Sequence, residues 1–141
     1  MLLAEIVETS ARVGLTSSRL AKVDALAACL RGTGTDEVGI AVSWLSGSVR
    51  QQRLGVGGTA LDKVRRTSEP APHSVLTLMQ VDAALERIAG TSGPRSGGDR
   101  IRLVAELFAR ATAAEQDFLT RLIIGELRQG AVEGLMIDAV A

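Results

Sequence analysis

Three places in this chain combine guanidinium groups with glycines at the edge of a helical pattern, a pairing suited to gripping an anion. The first is Arg53, Leu54, Gly55, Val56, Gly57, Gly58 and Thr59, ahead of a short pattern bearing Lys63, Arg65 and Arg66. The second is Gly93, Pro94, Arg95, Ser96, Gly97, Gly98, Asp99 and Arg100, ahead of another helical pattern. The third is the corner Arg128, Gln129 and Gly130, which closes an amphipathic run. The first amides of a helix are unpaired, and glycine lets a phosphate approach them closely. Such contacts position a protein on a duplex without reading its sequence. Judged from residue types alone, the same glycines also serve as plain turns and caps, and both readings stay open.

Other chemistry has less support. Gly55-x-Gly57-Gly58 lacks the G-x-G-x-x-G spacing, follows no strand pattern, and has no G-x-x-x-x-G-K-[ST] to accompany it anywhere in the chain. Cys29 is the one cysteine and His73 the one histidine, too few for a zinc site or a catalytic triad. Cys29 reads as a small core residue, and His73 as lying at or just before a helix start. Ser96 has no nearby histidine or lysine to activate it. The carboxylate pairs Asp36/Glu37 and Glu115/Asp117 fall in first turns of expected helices, where they suit the dipole.

The net charge of zero argues weakly against a nucleic-acid partner, but the distribution is uneven. Residues 50–66 set five cations against Asp62, a net +4, and residues 95–102 set three against Asp99, a net +2. Arginines number 14 of the 16 basic residues, and their planar fork suits phosphate, although a codon bias toward arginine produces the same ratio.

The elements that must position these residues are helices. Apolar residues make up 46% of the 141-residue chain and aromatics only 2%, so the core is Leu, Val, Ile and Ala. That length suits one domain with a real core. Helices are expected over 2–13, 18–31 (ended by Gly32), 35–45 (capped by Thr35), 60–66 (capped by Thr59), 74–89 and 99–111. Leu20 and Ile101 are assigned to buried stripes, and Trp44 to a partly buried site where its indole N–H needs a partner. Thr112 and Glu115 form a capping box for a helix to 129, about 25 Å long, with Gly130 closing it. A last helix starts near 132 and still runs at 141, as in the first part of a longer protein. Thus the expected class is all-α: a single compact domain of about seven to nine helices joined by Gly-rich loops. No apolar run approaches the ~20 residues of a membrane span, and Glu5 and Glu8 stand where a signal peptide would be apolar, so a cytoplasmic location is expected.

The order of short motifs resembles the N-terminal DNA-binding domain of ATP-dependent DNA ligases, in the actinobacterial-like bacterial branch. Thr9 and Ser10 followed by Arg19 to Lys22 resemble its opening, and Leu54-Gly55-Val56-Gly57 its L-G-v-G loop. Ile88-Ala89-Gly90 through Ser96 is similar to its I-A-x-x-x-G-x-G-S segment, and Leu107 through Glu115 to its L-x-x-A-T-x-x-E segment. Arg121-Leu122-Ile123-Ile124-Gly125-Glu126-Leu127-Arg128-Gln129-Gly130 resembles the closing signature R-L-I-x-G-x-L-R-x-G. The family usually has a lysine shortly after the serine; here Arg100 is the nearest substitute, with Asp99 beside it.

The resemblance implies that residues 1–141 bind nicked double-stranded DNA through its sugar–phosphate backbone, without sequence specificity, in a nucleoid-associated enzyme of replication, repair or recombination. It implies that Arg128, Gly130, Gly125, Ser96, Arg95 and Arg100 lie along the DNA face, joined by Arg53, Gly55, Gly57 and Lys63. It also implies ATP and magnesium for the full-length enzyme, and adenylating and OB-fold domains downstream. The family's nucleotidyl-transfer lysine stands in K-x-D-G. Lys22 gives K-V-D-A instead, so no catalytic residue, metal or cofactor is assigned to this segment. The alternative is a helical protein–protein interaction module, with arginines scattered over its surface.

Overall fold

The structure is a computed structural model that describes residues 1–51 and 54–127. Arg53, Arg128, Gly130 and the expected helix at 132–141 lie outside the described residues. Within them the chain is all-α. Seven helices follow one another: α1 Leu3–Leu15, α2 Arg19–Arg31, α3 Val38–Leu45, α4 Gly58–Thr67, α5 Leu78–Ala89, α6 Ser96–Ala109 and α7 Ala113–Ile124. Helix α1 packs on α2, α3 and α7; α4 packs on α6 and α7; α5 packs on α6 and α3. This order follows from stripes of aliphatic side chains that each helix must bury against a neighbour.

The central stripe is that of α5, where Leu78, Val81, Leu85 and Ile88 are all fully buried, as their spacing of three and four requires. Trp44 and Phe108 are the largest fully buried side chains. Truncating either to Ala would cost about 3–5 kcal/mol. Trp44 is buried completely, beyond the partial burial expected, and its indole nitrogen has no hydrogen-bond partner among the described residues. Two stripe residues point the other way: Leu20 is 71% exposed and Ile101 42%. Leu26 is the buried residue of α2, and α6 buries Leu103 and Leu107 beside Val104 and Phe108.

Helix boundaries depart from the sequence pattern for identifiable reasons. Helix α3 begins at Val38 because Thr35 to Glu37 form a turn, with the Glu37 and Val38 amides both bonded to the Gly34 carbonyl at 3.0 Å. The Glu37 carboxylate accepts a 3.0 Å hydrogen bond from the Met1 ammonium. Helix α5 begins at Leu78, not 74, because the preceding backbone pairs with the start of the chain. There the Leu3 amide donates to the Leu76 carbonyl (2.9 Å) and the Leu78 amide to the Met1 carbonyl (3.1 Å). Its cap is a reciprocal pair: Thr77 Oγ1 accepts from the Gln80 amide and Gln80 Oε1 from the Thr77 amide. His73 consequently lies exposed in the loop before this helix.

The capping box of α7 is present as read. The Glu115 amide donates to Thr112 Oγ1 (3.2 Å), and the Thr112 amide to Glu115 Oε1 (2.8 Å). Glu115 is only 1% exposed, and its second oxygen accepts from the Ser74 hydroxyl at 3.0 Å. The far end differs. Helix α7 stops at Ile124, not 129, because Gly125 adopts φ 83° and its amide turns back to the Arg121 and Leu122 carbonyls. A left-handed residue ends a helix, and glycine enters that region without a Cβ clash. Leu127 still packs against the core after the turn.

Candidate nucleic-acid interface

Between α3 and α4, the described residues 46–51 and 54–57 are anchored at two points. Val49 and Leu54 are buried in the core. Arg50 donates from Nε to Asp82 Oδ1 (3.1 Å) and from Nη2 to Asp82 Oδ2, while Gln51 Nε2 reaches Asp82 at 3.2 Å and Glu86 at 2.9 Å. The Arg50 guanidinium is held above its usual pKa, first by the hydrogen bond to Asp82, then by attraction to the same carboxylate. After Leu54 the chain turns through Gly55 at φ 72° and enters α4 behind Gly57. Gly57 offers no side-chain cap to the first turn of α4.

The second glycine loop repeats this arrangement on α6. Gly93 takes φ 103°, the Ser96 amide bonds to its carbonyl at 3.1 Å, and Arg95 occupies the N-cap position without a side-chain cap. The helix begins at Ser96, three residues earlier than its sequence pattern suggests, so Gly97 and Gly98 lie in its first turn. Both are exposed, with open space where a Cβ would stand. Arg95 is exposed and Ser96 half-buried.

These two turns meet. Arg100, one turn into α6, donates from Nη2 to the Thr91 carbonyl at 2.7 Å. Its guanidinium lies against Gly55, where a Cβ would come within 3.0 Å of Cζ and Nε. The opening residue of α4, Gly58, also faces the end of α7, with Ile124 Cγ2 4.0 Å from a Cβ position. Arg100 of α6 thus joins the turns at Gly55 and Thr91, and Gly58 of α4 lies beside Ile124 of α7. Helical packing of α4 on α6 and α7 makes that assembly.

The charges sort differently from their count in sequence. Arg50 is matched to Asp82, and Arg65 to Asp117 at 3.4 Å, so two cations of the +4 stretch face carboxylates supplied by α5 and α7. Arg102 stands 3.7 Å from Asp99, which also occupies the first turn of α6. The exposed side chains of Lys63 and Arg95 make no ion pair with the described residues. Sequence reasoning missed the Arg50–Asp82 clamp and the inward turn of Arg100. Neither leaves a local signal, since the partners come from other elements.

A groove of about 610 Å³ between α1, α2 and α7 is lined by Val7, Leu26, Phe118 and Leu127. Lys22 of the K-V-D-A run borders it, beside Asp117 and Arg121, which pair with each other at 3.4 Å. Among the described residues no group of three or more His, Cys, Asp or Glu side chains could hold a metal ion. No helix among them is long and apolar enough to cross a membrane.

A family model described as DNA ligase N terminus matches residues 58–141, which begin at the first residue of α4 and include α6, α7 and the Gly125 turn. The chain belongs to the DNA ligase N-terminal family. DNA ligase B of Mycobacterium tuberculosis (strain CDC 1551 / Oshkosh) is 52% identical over 143 residues, covering the whole of this chain and 28% of the relative. A protein named "Probable DNA ligase" from Anaeromyxobacter sp. (strain Fw109-5) is 47% identical over 141 residues, again the whole chain and 27% of the relative. This DNA ligase N-terminal segment thus spans about a quarter of the length of the curated relatives it matches.

Proposed function

We propose that this chain is the DNA-binding segment of an ATP-dependent DNA ligase, and that it grips a nicked duplex by the sugar–phosphate backbone. The observation that carries this reading is the Arg100 bridge between the Gly55 turn ahead of α4 and the Thr91 turn ahead of α6, in a chain of the DNA ligase N-terminal family. Neither helix has a side-chain cap at its N-terminus, and Lys63 of α4 and Arg95 at the start of α6 are exposed cations. Donors of both kinds suit phosphate oxygens and carry no base information. The family resemblance assigns Ser96, Gly55, Gly57 and Gly125 to the DNA face, together with Arg128, Gly130 and Arg53, which lie outside the described residues.

The ligation chemistry belongs to the remainder of the protein. K-x-D-G is absent from this sequence, and the described residues contain no metal-ligand cluster. ATP and magnesium would be used by the downstream domains, with an adenylating and an OB-fold domain closing on the same duplex. The task of this segment is to hold both sides of the break in register, which lowers the entropic cost of joining them. Nick sealing would place the enzyme in replication, repair or recombination, in the cytoplasm with the nucleoid.

The test is a fluorescence anisotropy titration with intact and nicked duplexes of several sequences over a salt series. Binding independent of sequence and weakening steadily with salt is expected. No binding at low salt, or affinity indifferent to salt, overturns the proposal.

A further inference from the structure

Arg100 does not present its fork outward as a phosphate ligand does. One arm, Nη2, is bound to the Thr91 carbonyl at 2.7 Å. The other side of the group is covered by Gly55, whose absent Cβ would stand 3.0 Å from Cζ and Nε and 3.1 Å from Nη1. Its Nε is buried without a partner among the described residues. Gly55 itself sits at φ 72°, so both its conformation and its missing side chain are needed for this contact.

We infer that Arg100 is a positioning residue: it fixes the Gly55 turn against the Thr91 turn, and so sets the spacing of the α4 and α6 N-termini. The inference rests on the proposed DNA-binding reading and deepens it. A guanidinium bridges two turns because it is rigid and planar, with donors at fixed angles; an ammonium on a flexible stem is not. Phosphates are then met by the groups that Arg100 places, namely the first-turn amides of the two helices with Arg95 and Lys63. Arg100 makes no ion pair with a described carboxylate, so its charge still adds to the local field.

The experiment uses the whole chain with Arg100→Lys, Arg100→Gln and Gly55→Ala. Hydrogen exchange of residues 54–57 and 90–96 is followed without DNA, and duplex affinity is measured across a salt series. Faster exchange in both segments is expected for Arg100→Lys and for Gly55→Ala. Each weakens duplex binding by about tenfold, and the two combined do little more than either alone. The salt slope of Arg100→Lys stays that of the unaltered chain. Arg100→Lys carries the test if Gly55→Ala does not fold. Unchanged exchange with normal affinity in Arg100→Lys overturns the inference. So does unchanged exchange in Arg100→Gln with a slope reduced by about 0.9, the mark of one direct phosphate contact. A failure of the unaltered chain to bind any duplex sinks the DNA-binding reading instead, while the exchange data still decide whether Arg100 ties the turns.

Discussion

Arg50 and Asp82 face each other across 32 positions of sequence, with Nε and Nη2 of the guanidinium on the two carboxylate oxygens. Asp82 is buried in α5, whereas the Arg50 side chain remains 47% exposed. Arg50→Ala removes both bonds and leaves the carboxylate to Gln51 alone. Because the guanidinium is half in water, the expected loss is modest, about 1–2 kcal/mol. Urea unfolding measures it, and a change under about 0.3 kcal/mol would show that the pair adds nothing. The sign with pH is fixed: a cation whose folded pKa is raised contributes stability below its unfolded pKa and loses it only as pH climbs through the folded one. Arg50 thus stays charged throughout the neutral range.

Trp44 presents a different case, a buried donor with no acceptor among the described residues. Trp44→Phe removes the unpaired N–H together with part of the ring, and the two effects oppose each other. It should cost about 1 kcal/mol, against about 3–5 kcal/mol for Trp44→Ala. Equal losses for the two variants, read from chemical denaturation, would refute this account.

Gly125 tests backbone strain in isolation. It holds φ 83°, and a Cβ there would meet nothing within 4 Å. Gly125→Ala should therefore destabilise by about 1–2 kcal/mol, and Gly125→Asn by clearly less. Thermal melts that rank the two variants equally would remove the conformational explanation.

Glu115 joins two segments through one carboxylate, capping α7 and accepting from Ser74. Glu115→Ala should cost about 2 kcal/mol, and Glu115→Gln less, since the amide oxygen still accepts from one partner. A loss for Glu115→Ala within the range of an exposed cap, about 0.5 kcal/mol, would mean that its burial adds nothing.

On the proposed binding face, Arg95→Ala and Lys63→Ala should each lower the salt slope of duplex binding by about 0.9 and leave the melting temperature almost unchanged. Arg12, which pairs with Glu8 at 3.0 Å on α1, serves as the comparison and should leave binding unaltered when changed to Ala. Equal effects from all three variants would show a diffuse attraction with no defined face.

Local sequence determined what depends on neighbours within one turn. The spacing of Leu78, Val81, Leu85 and Ile88 specified the buried side of α5, and Thr112 with Glu115 specified the start of α7, because both arise within a single helix. The family was equally legible, since the order of its short motifs needs no coordinates. Tertiary structure decided the rest. Helix α5 starts late because the backbone at 76–78 pairs with the chain's first residues, and α7 stops early because Gly125 turns left-handed. The cations of 50–66 looked like one basic patch until α5 and α7 supplied Asp82 and Asp117. The contact of Arg100 with Gly55, 45 positions away, likewise has no local signal. Periodicity and caps are short-range, whereas pairing of charges depends on which helices lie side by side, and only packing the chain chooses those neighbours.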